Sequence, residues 1–457
     1  MNSTSSTTRL TSTSSTTRLT STSSTTRRRL RGRSLGAALL TATSLAALTS
    51  CSGSGEVAAP AEQADVSSCD PSGVTLTAEF ASQGRQGAEL AKEQLEKKYP
   101  GLTVELRAAP EGTSYDELTQ QVVADIQAGS RPDVIMLGLD QLRFWVDNYS
   151  PRPLDTSVLK DSYRKNFLDV GTINGTTYVA PFQISVPVLY TNTTMAGQAG
   201  IDELPTTHSQ VISNAEKIKE KTGKKPVQIP RDNIAWWFVQ AFTQSNGARY
   251  VNDDGTAGFD TPQGREALEI YRTIGEKGLQ NPVSWQDSIK EFSSGQAAYF
   301  FGTPAVAATV KKAVGDSFDW TVSDMPVPDG GTASLPAGGN GWMVLSDDAC
   351  RAAYSSEMIS NMLDPQVIAS SARENSYIPV DTAAQDMLRQ DADYDSPLGY
   401  AWKYEGTPSA GGGWPGQSMG RVNQTLQDMV QQMTDQGRSV DEAVSDAVKK
   451  INGVTQQ

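Results

Sequence analysis

The sequence predicts an α/β protein of two lobes that are joined by extended crossing segments. Residues 74–137 alternate between strand-type and helix-type patterns in the order βαβαβ, which is typical of a mainly parallel sheet covered by helices. Residues 180–192 form an apolar, β-branched run that is interrupted by Pro181 and Pro187. Because proline removes a backbone donor, we interpret this run as a strand of one sheet, a bend at Pro187 and a strand of a second sheet.

The first lobe is predicted in the most detail. Its pattern gives strands over residues 74–80, 102–106 and 132–137, and helices over 88–98 and 115–129. Ligands of such sheets bind beyond the carboxyl ends of the strands. We therefore expect Gln83, Gly84, Tyr115 and Asp140 to lie near the cleft between the lobes. Gln83 and Gly84 could instead form a simple turn, and Asp140 could instead cap a helix.

The N-terminal segment has the pattern of an export signal. Residues 3–28 repeat the nine-residue unit STSSTTRLT nearly three times, and this unit has no core-forming side chains. A basic block at 27–33 then precedes a short apolar run at 35–48 and the sequence Leu48-Thr49-Ser50-Cys51. This order is typical of a secretory signal. We assign residues 1–50 to the signal peptide with its repeat, and residues 51–69 to a flexible tether.

Composition excludes several classes of function. All 52 Asp and Glu follow residue 50, whereas seven of the 39 Lys and Arg precede it, and the whole chain has a net charge of −13. A surface this acidic argues against a nucleic-acid partner. The chain has one histidine, His208, and its cysteines are not clustered, so we expect no metal and no cofactor.

A series of short sequences around the crossing segment carries a family resemblance. It runs GTTYVAPF from Gly175, PVLYTN from Pro187, AGID from Ala199, and then Leu204-Pro205. This series resembles the extracellular solute-binding proteins, the receptors of ABC importers for sugars and related polyols. The resemblance extends over residues 74–452.

The resemblance implies a two-lobed, periplasmic-binding-protein-like fold of type II, with a mainly parallel sheet in each lobe. Lobe 1 would comprise residues 70–183 and 336–372, and lobe 2 residues 187–330 and 378–457, with crossings near 181–187, 331–336 and 373–378. It also implies a monomeric receptor that captures a carbohydrate and delivers it to the permease, not an enzyme. The LTSC sequence resembles a bacterial lipobox, in which Cys51 is acylated and anchors the protein to the outer face of the cell membrane. An ordinary signal peptide with a chance cysteine is the alternative.

The two other cysteines, Cys69 and Cys350, flank predicted elements of lobe 1. Outside the cytoplasm two such cysteines more often pair than stay free. We therefore expect a disulfide between them.

A sugar site needs aromatic faces and polar groups that bond to hydroxyls. Of the adjacent Trp236 and Trp237, we expect one in the core and one facing the cleft. Trp414 lies in the glycine-rich sequence AGGGWPG, and we expect it to be exposed to ligand. Ser185 lies in the crossing itself, and Gly339 could offer its backbone N–H to a ligand oxygen or form a bulge.

Phosphate ligands are the alternative within the same family. Members that bind glycerol 3-phosphate or glycerophosphodiesters carry a Gly-Gly pair, a Gly-Tyr-Leu-Pro sequence and an Arg that opens the C-terminal helices. Here Gly338-Gly339, Ser376-Tyr377-Ile378-Pro379 and Arg421 resemble that pattern, with Ser376 in place of glycine. This resemblance adds Tyr377 and Arg421 to the ligand candidates; a salt bridge is the alternative role of Arg421.

Two other classes compete with the receptor. A secreted glycoside hydrolase would need two carboxyls at a fixed separation, and acids such as Asp140, Asp324 and Glu374 are present. A surface-adhesion lipoprotein is the third candidate. Neither accounts for the series around the crossing segment.

Overall fold

The computed structural model describes residues 64–456. The predicted signal peptide, Cys51 and the tether up to residue 63 lie outside the described residues and stay predictions. Among the described residues the strands are β1 Thr75–Phe80, β2 Thr103–Ala108, β3 Val134–Gly138, β4 Thr172–Ile173, β5 Thr176–Thr177, β6 Val179–Ser185, β7 Val188–Asn192, β8 Val227–Gln228, β9 Tyr299–Gly302, β10 Trp320–Asp324, β11 Gly338–Val344 and β12 Ile378–Pro379.

The helices of the same residues alternate with these strands. They are α1 Arg85–Lys98, α2 Tyr115–Gln127, α3 Leu142–Tyr149, α4 Thr193–Gln198, α5 His208–Thr222, α6 Ala235–Ser245, α7 Pro262–Glu276, α8 Trp285–Ser293, α9 Ala307–Val314, α10 Ala349–Met362, α11 Pro365–Asn375, α12 Thr382–Leu388, α13 Gly399–Trp402, α14 Met419–Gln436 and α15 Val440–Thr455.

Two main sheets form the cores of the two lobes. The first has the strand order β12-β6-β11-β3-β1-β2, and the second β10-β7-β9-β8. Strands β1, β2 and β3 pair in parallel, as the βαβαβ pattern predicted. The sheets as wholes are mixed, not mainly parallel, because β6, β7 and β11, which carry the chain between the lobes, pair antiparallel with their neighbours.

The first crossing lies where the sequence places the bend. Strand β6 belongs to the first sheet and ends at Ser185, and β7 belongs to the second and begins at Val188. The chain therefore passes between the sheets at Val186 and Pro187, both buried. The second crossing follows β10 and ends at β11.

The third crossing lies later in the chain than the predicted 373–378. Strand β12 pairs with β6 in the first sheet, and the indole of Trp402 donates a hydrogen bond to the carbonyl of Ala372 at 3.1 Å. The chain then runs beside the second crossing, where Ser409 pairs with Pro336. The chain thus stays beside lobe 1 from Ile378, where it extends the edge of the sheet, to Trp402. Tyr400 already donates to Asp324 of lobe 2 at 2.7 Å, and the chain packs within lobe 2 from α14 onward.

A disulfide joins the start of the described chain to lobe 1. The sulfurs of Cys69 and Cys350 are 2.03 Å apart, with Cα atoms at 5.6 Å, which is the predicted pairing. The hydroxyl of Tyr354 donates to the carbonyl of Cys69 at 2.9 Å. The last residues of the predicted tether are therefore fixed to α10, and Val66–Ser68 form a 3-10 turn.

No helix of the described residues has the length and apolar character needed to cross a membrane.

We predict that Cys350→Ser lowers the free energy of unfolding by about 2–5 kcal/mol, because the disulfide closes a very long loop of the unfolded chain. Urea denaturation with and without reductant measures the change. Reductant should destabilise the unsubstituted protein to the level of the variant and leave the variant unchanged. Equal stability of the two proteins without reductant would contradict the prediction.

Candidate functional site

The carboxyl ends of two neighbouring strands place the first site residues. Gln83 lies in a 3-10 turn directly after β1, and Asp140 lies in a 3-10 turn directly after β3. Because β1 and β3 are parallel neighbours, both side chains lie at the same edge of the sheet. Gly84 packs beneath this edge, where an added Cβ would lie 2.8 Å from the ring of Trp342, so its role is close packing.

Tyr115 is brought to this edge by the start of α2. The Ser114 hydroxyl accepts a hydrogen bond from the backbone N–H of Glu117 at 3.2 Å, and the carboxylate of Glu117 accepts from the N–H of Ser114 at 2.9 Å. This capping box satisfies the free backbone donors of the first turn. Tyr115 is the first helical residue, so the cap fixes the backbone position from which its side chain extends.

The hydroxyl of Tyr115 is the centre of a hydrogen-bond network. It accepts from the side-chain amide of Gln83 at 3.0 Å and from that of Asn340 at 2.6 Å. The hydroxyl of Tyr377 lies close enough to it to affect its pKa. Asn340 also donates to Gln183 Oε1 at 2.6 Å. Three predicted ligand residues therefore meet at one point, together with two residues that the sequence analysis did not select.

The pairing of β6 and β11 holds this network in position. Gly339 has φ +102°, and a Cβ there would lie 1.9 Å from the carbonyl oxygen of Gln183. The register shifts between Asn340 and Gly341, which is a bulge that redirects side chains. Gly339 therefore permits a close approach of two backbones, the bulge that the sequence analysis offered as the alternative to ligand binding.

The carboxyl of Asp140 has an unusually high pKa. Burial, and to a lesser extent the nearby Asp116 carboxylate, raise the pKa of its carboxyl to about 7. The side chain lies beside Tyr115, because a Cβ on Gly138 would be 2.7 Å from Asp140 Oδ1 and 3.3 Å from Tyr115 Cβ. Near neutral pH this carboxyl can therefore donate or accept a hydrogen bond.

Lobe 2 contributes Trp237 at the hinge end of the cleft. Its indole N–H donates to the carbonyl of Pro336 at 3.1 Å. A Cβ on Gly338 would lie 2.8 Å from the Trp237 ring and 2.9 Å from the hydroxyl of Ser185, so these three residues are in close contact. Trp237 is 4% exposed, whereas Trp236 is half-buried and packs against the core.

The glycine-rich segment brings lobe 2 over Asp140. Gly412 has φ +58°, and a Cβ there would lie 3.2 Å from that of Asp140. Gln240 holds the segment by donating to the carbonyl of Ala410 and accepting from the N–H of Gly412, both at 3.0 Å. Residues 410–412 therefore cover the carboxyl end of β3.

The expected exposure of Trp414 is wrong. Its side chain is 2% exposed, and its ring packs edge-on against Tyr250 at 5.1 Å. The glycines give the indole little to pack on within the segment itself, but they let the segment lie close to lobe 1, and the indole turns inward onto Tyr250.

Arg421 lies apart from the network. It is exposed in the first turn of α14, and among the described residues no acidic side chain forms an ion pair with it. The structure therefore supports neither its predicted salt bridge nor a contact with the other candidates.

An open cavity of about 650 Å³ adjoins the network. Gln83 and Tyr377 line it, and its charged lining residues are Arg85, Glu111 and Glu374. A second cavity of about 260 Å³ shares Gln83, Arg85 and Glu374. The lining thus carries one basic and two acidic side chains, and Arg85 already lies 3.9 Å from Glu89.

The lone histidine of the chain, His208, lies apart from the network. No group of three or more metal-ligating side chains occurs among residues 64–456. His208 is buried beside Phe242, and burial lowers the pKa of its imidazole to about 3.

Comparison with known proteins identifies the class of the fold. The family model described as bacterial extracellular solute-binding protein matches residues 77–353. A protein of Brucella abortus (strain 2308), named only as a binding protein, is 26% identical over 289 residues, which are 60% of this chain and 66% of the relative. The match thus spans slightly less than two thirds of that relative.

Solved structures share the two-lobed architecture. The cyclic α-maltosyl-1,6-maltose binding protein of Arthrobacter globiformis has a TM-score of 0.72 at 18% identity, covering 84% of this chain and 99% of that one. UgpB of Mycobacterium tuberculosis in complex with glycerophosphocholine has a TM-score of 0.69 at 20% identity, covering 83% and 98%. These similarities confirm the predicted two-lobed α/β class.

We predict that the Asp140 carboxyl makes stability depend on pH. Its folded pKa is raised, so between pH 4 and pH 7 the folded protein keeps a proton that the unfolded chain releases. Stability from this group is therefore present at low pH and is lost as pH rises through about 7, with a slope of at most about 1.4 kcal/mol per pH unit. Asp140→Asn should gain stability relative to the unsubstituted protein between pH 4.5 and pH 8, as measured by urea denaturation.

Asp116→Asn is the matched control, because it removes the neighbouring charge and should shift the change to lower pH. A stability difference between Asp140→Asn and the unsubstituted protein that is constant from pH 4.5 to pH 8 would contradict the assignment.

Proposed function

Because the chain belongs to the bacterial extracellular solute-binding protein family, we propose that it is the solute receptor of an ABC importer and that its solute is a neutral carbohydrate. The family and the architecture are those of binding proteins, and we assign no catalysis to the cleft.

The observation that carries the carbohydrate assignment is the chemistry of the network. Hydroxyl, amide and carboxyl groups converge at Tyr115, Gln83, Tyr377 and Asp140. Such groups match the adjacent hydroxyls of a sugar, each of which donates one hydrogen bond and accepts others. A ring bound here would exchange its water contacts for these bonds.

The charge of the cavity supports a neutral solute over a phosphate. Two acidic side chains and one basic side chain line it, and the Asp140 carboxyl lies beside the network. A phosphate ester would bring further negative charge to this place, which costs free energy without paired cations. A neutral polyol carries no such cost.

Aromatic side chains for the apolar part of the site are present in both lobes. Tyr377 lines the cavity from lobe 1. Trp236 and Trp237 lie on α6 of lobe 2, and Trp237 contacts Gly338 at the hinge. Aromatic faces cover the C–H face of a pyranose. A solute held between the lobes would contact both and would stabilise the closed state by that difference in contacts.

A glycerophosphodiester is the second candidate solute. UgpB of Mycobacterium tuberculosis, which binds glycerophosphocholine, has the same fold, and the exposed guanidinium of Arg421 forms no ion pair with described residues. For this solute Arg421 would have to reach the cleft.

We also propose that Cys51 is lipidated after export and anchors the receptor to the outer face of the cell membrane, where it would deliver its solute to a permease as a monomer. The support is the sequence alone: a basic block, a short apolar run and LTSC.

We predict that a neutral mono-, di- or trisaccharide stabilises the protein that starts at residue 52. A solute at 100 to 1,000 times its Kd adds about 2.7–4 kcal/mol to the free energy of unfolding. A thermal-shift screen that includes glycerol 3-phosphate and glycerophosphocholine measures the effect. Tyr377→Phe should weaken the sugar response about tenfold, because it removes one hydrogen bond.

Arg421→Ala is the control, since its side chain lies outside the network. It should leave the sugar response unchanged. A response to phosphate compounds alone, lost in Arg421→Ala, would replace the carbohydrate with the glycerophosphodiester. Release of reducing ends from a glycan, without a thermal shift, would overturn the receptor function itself.

We predict that Cys51→Ala moves the protein from the membrane fraction to the medium of a bacterial host and abolishes labelling by radioactive palmitate. Cys69→Ser is the matched control. Because Cys69 is disulfide-bonded, its replacement should leave the palmitate labelling intact. Continued palmitate labelling of Cys51→Ala would contradict the lipid anchor.

A further inference from the structure

Residues 389–404, which we call the strap, form a compact loop that follows α12 and contains α13. Lys403 Nζ pairs with the carboxylate of Asp395 at 2.8 Å and lies 4.6 Å from the centre of the Tyr394 ring. A Cβ on Gly399 would lie 1.8 Å from the carbonyl oxygen of Tyr394. The strap is therefore tightly folded on itself and can move as one body.

Lobe 1 holds the strap near both of its ends. Arg373 Nε donates to the carboxylate of Asp391 at 2.8 Å, and the indole of Trp402 donates to the carbonyl of Ala372 at 3.1 Å. Both partners lie on α11, which packs on β6 and β12 of the first sheet. Two attachments to one helix make the strap part of lobe 1.

Between these attachments the strap reaches lobe 2. Asp393 pairs with Lys311 of α9 at 2.5 Å, and the hydroxyl of Tyr400 donates to Asp324 at 2.7 Å. Burial, and to a lesser extent the Asp324 carboxylate, raise the pKa of the Tyr400 hydroxyl, so it stays a donor. Asp324 is the last residue of β10 and pairs with Val188, the first residue of β7. Both contacts therefore lie at the edge of lobe 2 that faces lobe 1, where α9 also packs against α11.

On the other side of the cleft, lobe 2 reaches lobe 1 through the glycine-rich segment, residues 410–416. The N–H of Gly416 donates to the carboxylate of Asp147 on α3 at 3.0 Å, and Asn148 donates to the carbonyl of Gly416 at 3.3 Å. Trp414 packs on Tyr250 and so attaches this segment to lobe 2. Each lobe thus extends one segment to the other, and the lobes cannot move apart without breaking polar contacts.

We propose that the strap is a latch, in which Asp393 and Tyr400 hold lobe 2 against lobe 1 and favour the closed state. A hydrogen bond is lost once its heavy atoms separate beyond about 3.5 Å, so opening removes both contacts. Contacts made only in the closed state lower its free energy, and the apparent affinity for a solute rises with the closed fraction. The effect on affinity rests on the proposed function, whereas the bias toward closure does not.

Two substitutions remove the contacts and keep the size of the side chains. Tyr400→Phe should lower the affinity for the glycan that binds best in the thermal-shift screen about fivefold, the contribution of one hydrogen bond. Lys311→Met should lower it about twofold, because the pair with Asp393 is partly exposed. The two partners are separate, so the double variant should lose about tenfold. Isothermal titration calorimetry measures these changes.

A second double variant is the matched control, because it removes the same kinds of contact within lobe 1. Tyr99→Phe removes a hydrogen bond from a tyrosine to the carboxylate of Glu357, and Lys403→Met removes the pair with Asp395 inside the strap. Together they should leave the affinity unchanged. Equal losses in the two double variants would overturn the latch.

A measurement without solute separates the latch from the proposed function. In small-angle X-ray scattering, the Tyr400→Phe, Lys311→Met protein without solute should have a larger radius of gyration than the unsubstituted protein, and the control variant should not. Saturating glycan should restore the smaller radius. An unchanged radius without solute would overturn the latch. A larger radius in a protein that binds no glycan of the screen would overturn the carbohydrate assignment and leave the latch standing.

Discussion

The antiparallel pairing of β6 and β11 is the constraint on which the rest of the site depends. Both strands carry the chain between the lobes, and they lie side by side within the first sheet. Gly339 lets their backbones approach so closely that any Cβ would meet the carbonyl of Gln183 at 1.9 Å. The same contact sets where the chain leaves the sheet, brings Gly338 against Trp237 and Ser185, and aims Asn340 at Tyr115.

Electrostatics favour the neutral solute over the phosphate ester, both at long range and at the site. The whole chain has a net charge of −13, so an anionic solute meets an unfavourable field before it reaches the protein. Beside the network, the acidic excess of the cavity lining adds a short-range cost. A neutral polyol is affected by neither and can use the Asp140 carboxyl as a hydrogen-bonding partner, which makes the local and the global electrostatics consistent with one solute class.

The sequence predicted the elements of the first lobe and the first crossing, because these depend on local pattern. It also predicted the disulfide, because only two cysteines remain after Cys51 and they either pair or stay free. It placed Gln83, Tyr115, Asp140 and Tyr377 near one cleft, and the structure brings them together. It missed Asn340 and Gln183, although each is the lone amide of an otherwise apolar or glycine-rich strand, and such a residue needs a buried partner. The third crossing and the burial of Trp414 were not predictable in this way, because both depend on which surface a long loop packs against.

A crystal structure with the glycan that binds most tightly in the thermal-shift screen would show whether a sugar occupies the cleft. We expect a sugar ring between the lobes, with hydroxyl or ring oxygens within hydrogen-bonding distance of Tyr377 and Asp140 and its C–H face toward an aromatic side chain of α6. A ligand bound outside the cleft, or held through Arg421 without contact to the Tyr115 network, would contradict it.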